Sequence, residues 1–186
     1  MPWIKKIKIN VPCKTEQEKI ASFLTSIDNL ISTQESNISI LETYNKGLIS
    51  KIFKQEIRFK DANGNEFPDW EEKRLGDLFD IFVGGDIDKK HSSKHQTEKC
   101  CYPVFANALI DDGLYGYADY YKNTGDTITV TGRGDVGHAV ARHCAYVPIV
   151  RLLVLVPRHK ECVDFFAYQI NVTKILKGLW PIILTV

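Results

Sequence analysis

The glycine-rich stretch Gly132-Arg133-Gly134-Asp135-Val136-Gly137 is where the sequence comes nearest to a chemical motif. Its glycines follow the G-x-G-x-x-G spacing of a dinucleotide fingerprint, in which a helix N-terminus receives a pyrophosphate. The surroundings depart from that pattern. HAVARHCAY, residues 138–146, reads as a returning strand instead of a long helix, and no acidic residue stands at the expected spacing of about 20 positions. Two other readings fit the same residues. One is a β-turn whose glycines supply positive φ. The other is an exposed loop offering Thr131, Arg133 and backbone N–H groups to phosphates or base edges. A second candidate is the polar loop GGDIDKKHSSKHQ, residues 84–96. Lys89, Lys90 and Lys94 suit phosphate neutralisation, and Ser92, Ser93, His91, His95 and Gln96 suit edge reading; a merely solvated loop has the same composition.

A catalytic constellation is missing. There is no GxSxG, HExxH or Walker A run, and no spaced Asp with Glu-x-Lys of the kind that cleaves DNA. Asp111-Asp112 stand alone, and His138 and His143 sit near Asp135 and Cys144 without forming a recognisable triad. Cys13, Cys100, Cys101, Cys144 and Cys162 make an odd count in a chain that is not small, so reduced thiols are expected. Cys100-Cys101 follow His91 and His95, but there is no CxxC and no second ligand pair, so no metal site is expected.

These candidates need a scaffold, and the chain supplies two kinds. Residues 15–56 carry a helical pattern free of proline. Thr15 with Glu18 three positions on has the form of a capping box. Ile20, Leu24, Ile27, Ile31, Ile38, Leu41, Leu48 and Ile52 then recur at heptad spacing, with polar Gln34 and Asn45 on the same seam. A helix of about 40 residues spans roughly 60 Å. Such a rod calls for another helix beside its seam, in the same or a different chain. Asn63-Gly64 marks a tight turn. From residue 73 the pattern becomes strand-rich: short helix 74–79, strands near 79–83, 101–105, 113–121, 126–131, 139–145 and 149–156, and a helix over 164–176. The class expected is α+β: a long coiled-coil-forming helix followed by a mixed α/β domain with a twisted or barrel-like sheet.

Composition sets the outer bounds. With 186 residues, the chain suits one domain plus a large appendage. The hydrophobic share is 44% and the charged share 25%, ordinary for a water-soluble globular protein. A net charge of +1 argues against a bulk polycation that coats nucleic acid, though not against local clusters. No apolar run is long enough to span a bilayer, and no secretory signal is recognisable, so a cytoplasmic location without membrane attachment is expected.

Four stretches carry a family resemblance. VPCKTEQEKIASFLTSID (11–28) resembles the segment that opens a spacer helix in type I restriction-modification specificity (S) subunits. LETYNKGLISKIFKQEIRFKD (41–61) is similar to the end of that helix, NGNEFPDWEEKRLGDL (63–78) to the entry into a target-recognition domain, and DTITVTGRGDVGHA (126–139) to a glycine-rich segment within such domains. The resemblance implies a DNA-reading subunit without chemistry of its own. In the family, two recognition domains each read half of a split target. Two antiparallel helices set their spacing and dock methyltransferase (M) subunits, which restriction (R) subunits join. S-adenosylmethionine, ATP and Mg would belong to those partners, leaving no cofactor in this chain.

Only one helix and one domain are present, about half of such a subunit. The division expected is residues 1–12 as the closing strand of a recognition domain, 13–58 as the spacer helix, and 59–186 as a target-recognition domain incomplete at its C-terminus. The ending GLWPIILTV does not resemble the family's continuation. A natural half subunit, a rearranged product and a truncated remnant all fit. For double-stranded DNA the candidate contacts are Lys89, Lys90, Ser92, Lys94, Thr131, Arg133 and His138. The candidate helix-pairing residues are Ile20, Leu24, Ile27, Ile31, Ile38, Leu41, Asn45, Leu48 and Ile52, expected to join two copies antiparallel in a homodimer. The alternative is a regulatory or remnant protein that binds methyltransferase or specificity subunits through its helix and does not bind DNA.

Overall fold

The computed structural model describes residues 4–174. The chain divides into two units, Met1–Ile57 and Arg58–Val186.

The first unit is dominated by helix α1, Lys14–Phe53, of 40 residues. It starts one residue before the expected cap. Cys13 is the N-cap and no side chain caps from that position. Instead Gln17 donates from Nε2 to the Pro12 carbonyl at 2.8 Å. The Thr15–Glu18 capping box is therefore not formed, because Thr15 already lies inside the first turn. Along the exposed helix Ser26, Thr33 and Thr43 donate back to the carbonyls four residues earlier. The helix stops at Phe53 through a Schellman motif. Gln55 takes φ +60, its N–H donates to Ile52 O, and Glu56 N–H donates to Lys51 O. No residue of α1 is buried. Ile20, Leu24, Ile27, Ile31, Ile38 and Leu41 are all exposed, and Leu48 and Ile52 are half-buried. Upstream, Ile4–Lys6 is a short 3-10 turn and residues 7–12 form no strand. A strand satisfies its backbone groups on a neighbour, and the segment's one backbone bond among the described residues is the local Ile7 N–H to Ile4 O.

The second unit opens with a tight loop. Lys60 bridges Glu66, and the Asp61 carboxylate accepts the N–H groups of Asn63 and Asn65. Those bonds hold its pKa down. Arg58 closes the segment with bonds to Asp69 Oδ1 and the Phe67 carbonyl, both at 2.9 Å. Then come α2 (Leu75–Leu78), β1 (Phe79–Val83), β2 (Ser92–Ser93), β3 (Tyr102–Phe105), β4 (Leu114–Ala118), β5 (Thr127–Val130), β6 (Ala139–Arg142), β7 (Val147–Pro148), β8 (Leu153–Pro157) and α3 (Val163–Thr173).

The class is α+β as expected, but the strands form two four-stranded sheets and neither closes into a barrel. The first has order β1-β8-β5-β6, and the second β2-β4-β3-β7. The strand expected over 149–156 begins only at Leu153. Val150 and Arg151 both take positive φ, which extended backbone excludes, so a turn separates β7 from β8. Helix α3 covers the first sheet, burying Val163, Ala167 and Ile170 against Phe79, Ile128, Val130, Ala139 and Leu155. The tail of the helix expected over 164–176 and the C-terminal segment lie outside the described residues.

Two side chains finish the architecture. Arg142, on β6, is buried; its guanidinium stacks 3.6 Å from the Phe105 ring centroid, and it donates to Thr129 Oγ1 at 2.9 Å and to the Asp112 carbonyl. It joins the two sheets, and burial pushes its pKa down. Asn171, on α3, accepts from Ala139 N–H and donates to Ala139 O, each at 2.8 Å. A carboxamide thus takes the place of a neighbouring strand on the outer edge of β6.

Candidate nucleic-acid interface

The pairing registers bring four strand ends together. Val83 faces Leu153, Leu153 faces Val130, and Val130 faces Ala139. Three connections leave from this one end of the first sheet: residues 84–91, 131–138 and 149–152. The glycine-rich stretch forms the β5–β6 turn. Gly134 and Gly137 take φ +71 and +86, and Gly137 N–H donates to Thr131 O at 2.8 Å. No helix follows it, since β6 returns antiparallel to β5, so the dinucleotide reading is excluded and a hairpin turn is what forms.

Within that turn the candidate residues divide. Arg133 is exposed, and its guanidinium has no hydrogen bond or ion pair among the described residues. Thr131 is buried at 4% exposure. Its hydroxyl accepts from His138 N–H at 3.0 Å and donates to the Asp135 carbonyl. It is occupied in folding the turn. His138 is half-buried and lines a groove of about 260 Å³ between β6 and α3, with Asp112, Asp164, Tyr168 and Asn171.

The lysine loop starts at the same sheet end but leads away to the second sheet. Asp88 caps a 3-10 turn, Lys89–His91, by accepting Lys90 N–H. His91 is held by the Asp119 carboxylate at 3.0 Å, with Lys99 Nζ 3.4 Å from the same group. That hydrogen bond raises the His91 pKa and lowers that of Asp119. Ser92 and Ser93 then pair with Ala118 and Tyr117 on the outer edge of the second sheet. Lys89, Lys90 and Lys94 are exposed, and Ser92 is half-buried. Ser92 and Lys94 share an open cavity with Ile87, Ser93 and Tyr115. The seven candidates therefore form two groups, a hairpin tip and a sheet edge.

Three residues that the sequence reading passed over, Val150, Arg151 and Asn107, belong with the first group. Gly84 approaches the Pro148 carbonyl so closely that a Cβ would stand 2.8 Å from its oxygen. This contact carries the turn Ile149–Leu152, closed by Leu152 N–H to Ile149 O at 3.1 Å. Val150 and Arg151 take φ +53 and +57 in it, a conformation usual for Asn and Gly and strained for a β-branched residue, at about 1–3 kcal/mol. Asn107 is the third. It receives Gly132 N–H on Oδ1 at 2.7 Å and donates from Nδ2 to the Val150 carbonyl. One signal in the sequence pointed this way: Arg151 is the sole non-apolar residue in VPIVRLLVLV, residues 147–156.

Across the domain His143 donates towards two carboxylates, Nδ1 to Asp126 at 2.7 Å and Nε2 to Asp164 at 3.2 Å. Only the imidazolium satisfies both, and those bonds raise its pKa. Among the described residues no cluster of His, Cys, Asp and Glu is arranged to hold a metal, and no helix is long and apolar enough to cross a membrane.

A helix followed by a two-sheet α+β domain is a known architecture. The crystal structure of a type I restriction-modification S subunit from M. genitalium superposes on 89% of this chain and 44% of its own, with TM-score 0.64 and 17% identity. A family model described as the type I restriction modification DNA specificity domain matches residues 1–43 and 68–180. The chain belongs to that family. The MjaVIII specificity subunit of a type I restriction enzyme from Methanocaldococcus jannaschii is 36% identical over 149 residues, 72% of this chain and 35% of its own length. A candidate type I specificity subunit of Mycoplasma pneumoniae is 27% identical over 175 residues, 94% of this chain and 46% of its own. The chain thus spans under half the length of these relatives.

Proposed function

We propose that this chain is a sequence-specific reader of double-stranded DNA that directs the methyltransferase and restriction subunits of a type I restriction-modification system to a split target. The observation that carries this reading is the family match, which runs through both the helix and the two-sheet domain. The domain would read one half of the target. Two copies joined antiparallel along the exposed α1 seam would present two such domains and read a split palindrome. Methyl transfer and translocation would be the partners' chemistry.

Among the candidate contacts, Arg133 at the hairpin tip is best placed for a base or phosphate. Lys89, Lys90, Ser92 and Lys94 form a second surface suited to phosphates, and His138 a flanking position. Thr131 acts through the turn it folds. The exposed seam also favours a second reading, a regulatory partner of specificity or methyltransferase subunits that binds through α1 alone.

Binding of the full chain to labelled duplexes, with competitor DNA at physiological salt, separates the two. The DNA-reader proposal expects lysine substitutions at 89, 90 and 94 to weaken all sequences alike and Arg133→Ala to relax one base position, at about 1–3 kcal/mol. Uniform loss across positions would move Arg133 to a phosphate. An absence of duplex binding would leave the α1 reading standing.

A further inference from the structure

The end of the first sheet carries an unusual concentration of fixed backbone around two unpaired cations. Asn107 bridges two turns with a single carboxamide: Oδ1 takes Gly132 N–H, and Nδ2 gives to the Val150 carbonyl. Each bond falls on the residue immediately before an arginine, Arg133 in one turn and Arg151 in the other. Both arginines are exposed, and neither side chain has a hydrogen bond or ion pair among the described residues. The Val150–Arg151 turn is held in its strained form from several sides. Val150 N–H donates to Gly85 O at 2.9 Å, Arg151 N–H to Gly84 O at 3.0 Å, and Gly84 N–H to Leu152 O at 2.7 Å. Strained backbone survives where surrounding bonds over-determine it, and such places concentrate at binding sites.

We infer that Arg151 is a further DNA-contacting residue, a phosphate anchor beside Arg133, and that Asn107 is the positioning residue fixing the two arginines relative to each other. This inference rests on the DNA-reading proposal above. A plain structural staple would explain the Asn107 bonds, but not why a β-branched residue and an arginine are kept in a conformation that favours glycine or asparagine. Acidic neighbours on the same connections, Asp86 and Asp135, keep the local charge modest. That balance suits a fixed contact at one register better than indiscriminate attraction.

The test uses the full chain and a labelled, randomised duplex pool, with the apparent Kd followed across salt. Arg151→Ala is an exposed change that should fold normally. It should weaken binding about ten-fold at low salt and reduce the log–log salt slope by about one phosphate contact. Asn107→Asp keeps an acceptor for Gly132 N–H but has no donor for the Val150 carbonyl. In that background Arg151→Ala should become nearly silent while Arg133→Ala keeps its effect, a coupling that a general loss of stability would not produce. Wild-type affinity and slope in Arg151→Ala, or an equal Arg151→Ala effect with and without Asn107→Asp, would overturn the clamp and leave DNA reading intact. A wild-type chain that binds no duplex would overturn both.

Discussion

His143 shows how much one side chain can report about this domain. It lies between Asp126, just before β5, and Asp164, in the first turn of α3. Its pKa is raised by the hydrogen bonds to those carboxylates, that to Asp126 first. A raised histidine pKa means the folded state binds the proton more tightly than the unfolded chain. The stabilisation is complete below the ordinary histidine value of about 6.5 and is lost as pH rises through the higher folded value. Thermal unfolding midpoints should therefore fall as pH rises above the ordinary histidine value of about 6.5, and His143→Gln should fall less steeply over that range. Equal slopes in the two proteins would remove the clamp. His91 beside Asp119 has the same sign and adds to the wild-type slope. Thr131 teaches a related lesson. Its place next to Arg133 suggested a contact, yet its hydroxyl is spent inside the turn. A hydroxyl's availability depends on the partners folding gives it, and sequence adjacency does not reveal them.

At the scale of elements, the exposed seam of α1 is the feature that most needs a partner. Helices owe most of their stability to packing of an apolar face, and no residue of α1 is buried. Sedimentation of the full chain at micromolar concentration should show a dimer, and Ile27→Asp should yield monomers while the second unit's unfolding is unchanged. A stable wild-type monomer with α1 still helical would remove the dimer. Elements built from local signals were legible in the sequence. The alternation of DTITVT, the Asn63-Gly64 turn and the heptad spacing each act within a few residues. Features that depend on distant partners were not. The β7–β8 break needs Gly84, Gly85 and Asn107, contributed from far along the chain. Division into two sheets likewise depends on which edges meet, with Arg142 reaching Phe105 and Asn171 capping Ala139. The expected capping box failed for a subtler reason, a two-residue shift of the N-cap from Thr15 to Cys13.

For the whole molecule, the helix identified the family while the two-sheet domain holds the candidate reading surface. The candidate contacts could be guessed by residue type, but their grouping could not. Arg133 belongs with Arg151 and Asn107 at one sheet end, and Lys89 and Lys90 lie on the connection that leads to the outer edge of the second sheet. Two copies of this arrangement would read a split, two-fold related sequence, with the spacing set by paired helices of roughly 60 Å. The most direct measurement is to purify the full chain with a type I methyltransferase subunit, supply S-adenosylmethionine, and map which positions in a complex DNA mixture become methylated. Methylation confined to a split, two-fold symmetric motif, and displaced or blurred by Arg133→Ala, is the result expected. Methylation without sequence preference, or none despite a stable protein complex, would contradict the account.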